Sequence, residues 1–369
     1  MRMKCRSRKR PLPRRLASVR LNQCLLRLVH PSRIALAGSV ISRVRQQSFV
    51  LCLLAAVAVA LVWPLPAHAE ATRWAQLAAK VGVGLIFFLQ GLSLATRQML
   101  AGARPLRLHV FVLGWNFVLF PVLAVLFQTP GALLLGRELT MGFWMLAILP
   151  TTIASATALT AAARGAVPQA LFASVFSNLL AIVLVPLLAV AYFTSAGGVE
   201  VSLMPVFAKL CWIVLLPLLL GQCLRRYYRE RAMAISRRLR RVPQAAIVYI
   251  VYFSFAQTAA SGVLDALSSR QVIGALLLVT LLLLLASWAV WRSSAWMHVP
   301  DDERVAAFYT ASQKSLATGL PLLTAIFAAA SVPIDAGLVL VPLLLYHSLQ
   351  LFLGGVLAPR FAARVGAIP

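Results

Sequence analysis

The stretch 272–290 contains no charged side chain and shows no polar face, and it is one of many such runs in this chain. A helix needs about 20 apolar residues to cross a bilayer, and candidate spans of that length fall at about 47–66, 75–94, 106–128, 140–163, 166–194, 203–222, 243–264, 271–291, 303–326 and 333–357. With 61% hydrophobic and 12% charged residues in 369, the composition lies far from the roughly 25% charged of soluble domains. The expectation is an all-α integral membrane protein of ten transmembrane helices. The fourth and fifth spans, and the ninth and tenth, are joined tightly.

A net charge of +26 in a soluble chain would point to nucleic acid. Its placement here points elsewhere. The basic residues sit in alternate connections: the N-terminus, Arg97/Arg104/Arg107, Arg164, the run Arg225–Arg241, Arg292/Arg304 and Arg360/Arg364. Under the positive-inside rule these connections are cytoplasmic, so both termini lie inside and the number of spans is even. Residues 1–46 have no Asp or Glu and read as a disordered basic arm suited to anionic lipid; a mis-assigned start or a transit peptide has the same composition. Ala67-His68-Ala69 also resembles a signal-peptidase site. Residues 359–369 read as a cytoplasmic tail. The five cysteines have neither metal nor redox spacing, and no familiar enzymatic motif is present. We therefore expect no enzyme, no nucleic-acid partner and no cofactor beyond a coupling ion.

Two apolar spans are interrupted by polar stretches, Pro150–Thr157 in the fourth and Tyr309–Gly319 in the ninth. Broken helices persist in hydrocarbon only where they line a protected cavity, and such a pair in corresponding halves points to a transporter's binding site. Dividing the chain at Gly197-Gly198 leaves five spans on each side (47–197 and 198–358). Five is odd, so the halves enter from opposite faces and form an inverted repeat, with the breaks meeting near the midplane. Lys314 lies within the second break. An ammonium at that depth is costly and functional by default; snorkelling to an interface is the bland alternative.

Three motifs, Leu85–Leu94, Pro150–Ser155 and Gln313–Gly319, resemble the bile acid:sodium symporter family over about residues 47–358, in particular its sodium/bile-acid-symporter-like branch. The resemblance implies a panel and a core subdomain, with spans four and nine unwound and crossing, and two sodium ions behind the crossing. Carried over residue by residue, it places cation-binding roles on Ser155, Ser174, Asn178, Asn116, Thr310, Ser312 and Gln313. The family's acidic ligand in span nine is Tyr309 here, its neighbouring Asn is Lys314, and the Asn after Ser155 is Ala156. All nine acidic residues lie in connections, so this core contains no carboxylate and adds an ammonium.

For Thr310, Ser312, Gln313, Ser174, Ser177 and Asn178 the competing reading is interhelical hydrogen bonding. Lys314, Thr151, Thr152 and Thr318 are read as substrate-binding, because an ammonium and half-helix N-termini both favour an anion. The expected function is a secondary carrier of an organic anion, a carboxylate- or sulfonate-bearing amphiphile, sodium-coupled by resemblance. Lys314 offers two alternatives: a fixed counter-charge without cation coupling, or a titrating group that supports a proton cycle. A further alternative is a non-transporting regulator that acts through the basic segments. Lipids are the other expected partner.

Overall fold

The computed structural model describes residues 51–63, 69–93, 102–197, 211–239, 241–260, 268–330 and 335–366, with Phe49 and Ala208 besides. The basic arm 1–46, the Ala67-His68 pair and the midpoint at Gly198 lie outside the described residues. Two compact units divide the chain, Met1–Cys52 and Leu53–Pro369. Every contact below lies within the second.

All regular structure among the described residues is helical. The first half contains α1 (Leu51–Val62), α2 (Ala69–Ser93), α3 (Leu106–Val125), α4 (Gln128–Leu135), α5 (Arg137–Ala147), α6 (Ala154–Ala162) and α7 (Val167–Gly197). The second contains α8 (Leu216–Tyr227), α9 (Arg229–Arg238), α10 (Val242–Ala260), α11 (Ser269–Ser293), α12 (Asp301–Ser312), α13 (Leu316–Ala330) and α14 (Ala336–Val365). Among the described residues six helices are long and apolar enough to cross a membrane. Their outward side chains are apolar, as in Val110 at 70% exposure, Leu277 at 62% and Phe352 at 69%. Such a belt suits lipid rather than water.

The structure adds four details. The third span ends at Val125, and Gln128–Leu135 forms a short separate helix. The connection 225–241 is largely helical, with α9 carrying Arg229, Arg231, Arg237 and Arg238. Gly91, which reads in sequence as the centre of a tight turn, lies inside α2. Most of the segment 359–369 continues α14 as helix through Val365.

Local chemistry explains the irregular turns. Spans three and six both contain a π turn, at Trp115–Leu119 and Cys211–Leu215. A proline follows each at the second position, Pro121 and Pro217, and the missing proline amide removes one of the bonds that would pull the chain back into α register. Pro150 has the same effect on span four. Its ring disfavours helical backbone at Leu149, and α5 ends at Ala147.

Small residues permit close helix packing, the usual device where lipid removes the hydrophobic drive between helices. A Cβ on Gly91 would lie 2.2 Å from the Leu218 carbonyl oxygen, and one on Gly221 would lie 2.2 Å from the Phe88 oxygen. Helices α2 and α8 therefore touch backbone to backbone. Gly221→Ala is expected to force them apart and destabilise the fold by about 1–3 kcal/mol, the usual cost of overpacking. A lowered thermal midpoint in detergent checks this; an unchanged midpoint would mean that the contact is loose.

Candidate functional site

The two interrupted spans meet. Between α5 and α6 the backbone is non-helical at Pro150–Thr152, and between α12 and α13 at Gln313–Ser315, where Gln313 is extended (φ −94°, ψ 146°). The Ser315 amide donates to the Pro150 carbonyl at 2.8 Å. Gly319, on the first turn of α13, lets Leu149 pack against its backbone, where a Cβ would meet Leu149 Cδ1 at 2.3 Å. The breaks are thus one structural unit.

Lys314 lies at this junction with no exposed surface. It does not snorkel. Its ammonium donates to three backbone carbonyls, Ala147 at 2.7 Å, Leu149 at 2.9 Å and Asn116 at 3.1 Å, and Nζ lies 4.1 Å from the centroid of the Phe120 ring. An ammonium has three N–H donors, and all are used. Among the described residues the ion pairs are Arg304–Asp301 and Arg364–Asp301, so none reaches Lys314.

The carbonyls are free for identifiable reasons. The last carbonyls of any helix lack intrahelical donors, and Ala147 and Leu149 sit where α5 stops; the Thr151 amide that would otherwise serve Ala147 turns to Ser177 Oγ. In α3 the Phe120 amide reaches back to the Trp115 carbonyl. In the same register the donor for Asn116 would be Pro121, which has none. The negative end of the α5 dipole adds to the attraction for a cation, and the Phe120 face contributes a cation–π contact.

Helix α14 secures the second break. Gln350 accepts from the Lys314 amide at 2.7 Å and donates to the Lys314 carbonyl at 2.9 Å. Tyr346 donates to the Ser312 carbonyl at 2.8 Å. Gln350 and Tyr346 are four residues apart on one helical face. They satisfy backbone groups that unwinding releases.

Beside the ammonium lies a network of amides and hydroxyls. Asn178 donates at 2.8 Å to both the Thr151 and Ser174 carbonyls and accepts from Thr318 Oγ1, tying α7 to both breaks. Asn116, inside the π turn, donates to Ser177 Oγ at 3.4 Å and to the Thr310 carbonyl at 3.3 Å. Gln313 Oε1 accepts from Thr152 and Ser155, each at 3.0 Å; those two hydroxyls also contact one another. Among the described residues Asn116 Oδ1, Thr151 Oγ1, Ser174 Oγ and Gln313 Nε2 are buried without a hydrogen-bond partner. Such groups are costly and call for a ligand or a role.

The half-helix N-termini are partly self-capped. Thr152 Oγ1 accepts from the Ala156 amide at 3.1 Å and Ser315 Oγ from the Thr318 amide at 3.1 Å. Thr310 and Ser312 donate back to carbonyls of their own helix, which is neither a cation contact nor an interhelical bond. Tyr309 donates to the Gly354 carbonyl at 2.9 Å. A crevice on the α11 and α14 side is lined by Ser287, Tyr309, Ser312, Gln313, Gln350 and Gly354.

All eleven residues singled out from sequence fall in this region, and most join one bonded network. Phe120, Tyr346 and Gln350 are additional contributors. Gln350 carried a usable signal, an amide in an apolar run, as Asn116 did. The roles of Phe120 and the cage carbonyls had no signal in residue type.

The SBF-like CPA transporter family model matches residues 47–363. Curated relatives include protein PA2026 of Pseudomonas aeruginosa, 31% identical over 317 residues and covering 86% of this chain and 93% of that one. Sodium/bile acid cotransporter 7 of Danio rerio is 30% identical over 329 residues, covering 86% and 94%. The Mus musculus cotransporter 7 is 30% identical over 282 residues, covering 76% and 81%.

Proposed function

This chain belongs to the SBF-like CPA transporter family and is an integral membrane protein, and on that basis we propose that it is a secondary carrier of an organic anion. The observation that carries the proposal is the buried Lys314 ammonium at the meeting of two helix breaks, with no carboxylate paired to it among the described residues. A net positive centre in low dielectric favours a negative substrate, because uncompensated charge is costly there. The crevice beside Gln313 and Ser312 lies next to that centre in the chain. Its lining mixes apolar and polar groups, and in this conformation it holds about 10 Å³, room for a single water.

The carrier would work by rocking of a core against a panel, which calls for ten spans. Taking each broken pair as one crossing, and α1 and the Cys211–Tyr227 segment as crossings beside the six long helices, supplies that number. An even count keeps both termini on the cytoplasmic side by the positive-inside argument. Counterflow in proteoliposomes tests the carrier reading: a labelled amphiphilic carboxylate or sulfonate is expected to exchange only when the protein is present. No flux across a broad panel of organic anions would remove it.

Sodium coupling is supported by a separate observation, the partnerless buried oxygens of Asn116, Thr151 and Ser174, since hard cations take oxygen ligands. Sodium is expected to raise the thermal midpoint more than potassium or choline at equal ionic strength, and Ser174→Ala to erase the difference. Equal shifts for all three salts would leave an anion carrier without sodium coupling.

A further inference from the structure

We propose that the pocket around Lys314 Nζ is a monovalent-cation site whose resident cation is the chain's own ammonium, so that a small free cation occupies it once the side chain is shortened. Three backbone carbonyls from two different helices converge on one point at 2.7, 2.9 and 3.1 Å, and an aromatic face closes a fourth side at 4.1 Å. Rings of carbonyl oxygens are how proteins replace the hydration shell of a potassium ion, and an aromatic face recognises ammonium ligands. Each carbonyl is made available by backbone features independent of the lysine, namely the end of α5 at Ala147 and the π turn followed by Pro121. The cage is therefore a property of the fold, and Lys314 fills it. The inference deepens the carrier reading in one respect: the positive charge at the junction is covalently held and does not enter or leave with substrate.

The test uses the full chain in detergent. Lys314→Ala removes the three methylenes and the ammonium, leaving space for propylammonium. Propylammonium is expected to raise the thermal midpoint of Lys314→Ala by several degrees in a saturable manner, with no such shift in wild type, where the site is filled, or in Lys314→Met, where an uncharged chain fills the channel. Propanol, of the same shape without charge, is expected to have no such effect. The proposal is overturned by propanol matching propylammonium, by an equal shift in wild type, or by no shift in Lys314→Ala.

A second measurement decides the case if Lys314→Ala cannot be recovered. In a double-mutant cycle of Phe120→Leu with Lys314→Met, a ring that holds the cation makes the two losses less than additive. Full additivity overturns the proposal. Both readouts are independent of transport, so absent anion flux in wild type would remove the carrier reading and leave the cage standing, while failure here would leave transport untouched.

Discussion

Lys314→Met is expected to lower organic-anion flux by about a hundredfold while the protein remains folded. An anion about 6 Å from a unit positive charge is favoured by about 2.8 kcal/mol at an effective dielectric of 20, which is about a hundredfold in an equilibrium constant. Loss of the charge removes that attraction. The fold also loses stability, because the Ala147, Leu149 and Asn116 carbonyls lose a donor at about 1–3 kcal/mol each, and the desolvation cost of the ammonium that is removed offsets part of this. Initial rates of proteoliposome exchange and the thermal midpoint should be measured together. Wild-type flux in this variant would show that the ammonium is structural, and loss of the folded state would show that the cage cannot tolerate a neutral occupant.

Gln350→Leu is expected to destabilise the second break strongly. The Gln350 amide makes a two-way pairing with the Lys314 peptide, accepting at 2.7 Å and donating at 2.9 Å, and the residue is only 2% exposed. Its loss takes the acceptor from the buried Lys314 N–H and a donor from the Lys314 C=O, and an unsatisfied buried group costs about 1–3 kcal/mol. Gln350→Glu keeps an acceptor but no amide donor and should fall between the two. The thermal midpoints of the three proteins check the order. A Leu variant as stable as wild type would mean that Tyr346 and the junction with Pro150 hold the second break without it.

These two residues also mark where sequence reasoning succeeded and where it stopped. Lys314 was legible as a deep ammonium because it sits in a polar interruption far from any span end, and the structure places it with no exposed surface. Asn116, Ser174 and Asn178 were legible through the resemblance, and they converge on the breaks. The helix Gln128–Leu135 and the helical part of the 225–241 run were not, since a short segment with Pro130-Gly131, or a highly charged one, follows composition rules close to those of a connection. Thr310 and Ser312 carry the right residue types but direct their protons to their own helix, a choice that residue type does not encode.

The first break was readable because its cause is covalent: Pro150 has no amide hydrogen and restricts Leu149, wherever the rest of the protein lies. The same holds for the membrane class, which follows from apolar run length, and for the π register before Pro121. The second break has no proline among Gln313, Lys314 and Ser315. Unwinding there releases backbone groups that Gln350, Tyr346 and the Pro150 carbonyl satisfy, and these partners come from remote parts of the chain. Which carbonyls surround the ammonium was likewise settled by packing, because carbonyl oxygens are common to every residue and become a cation site only when separate helix ends are brought to one point.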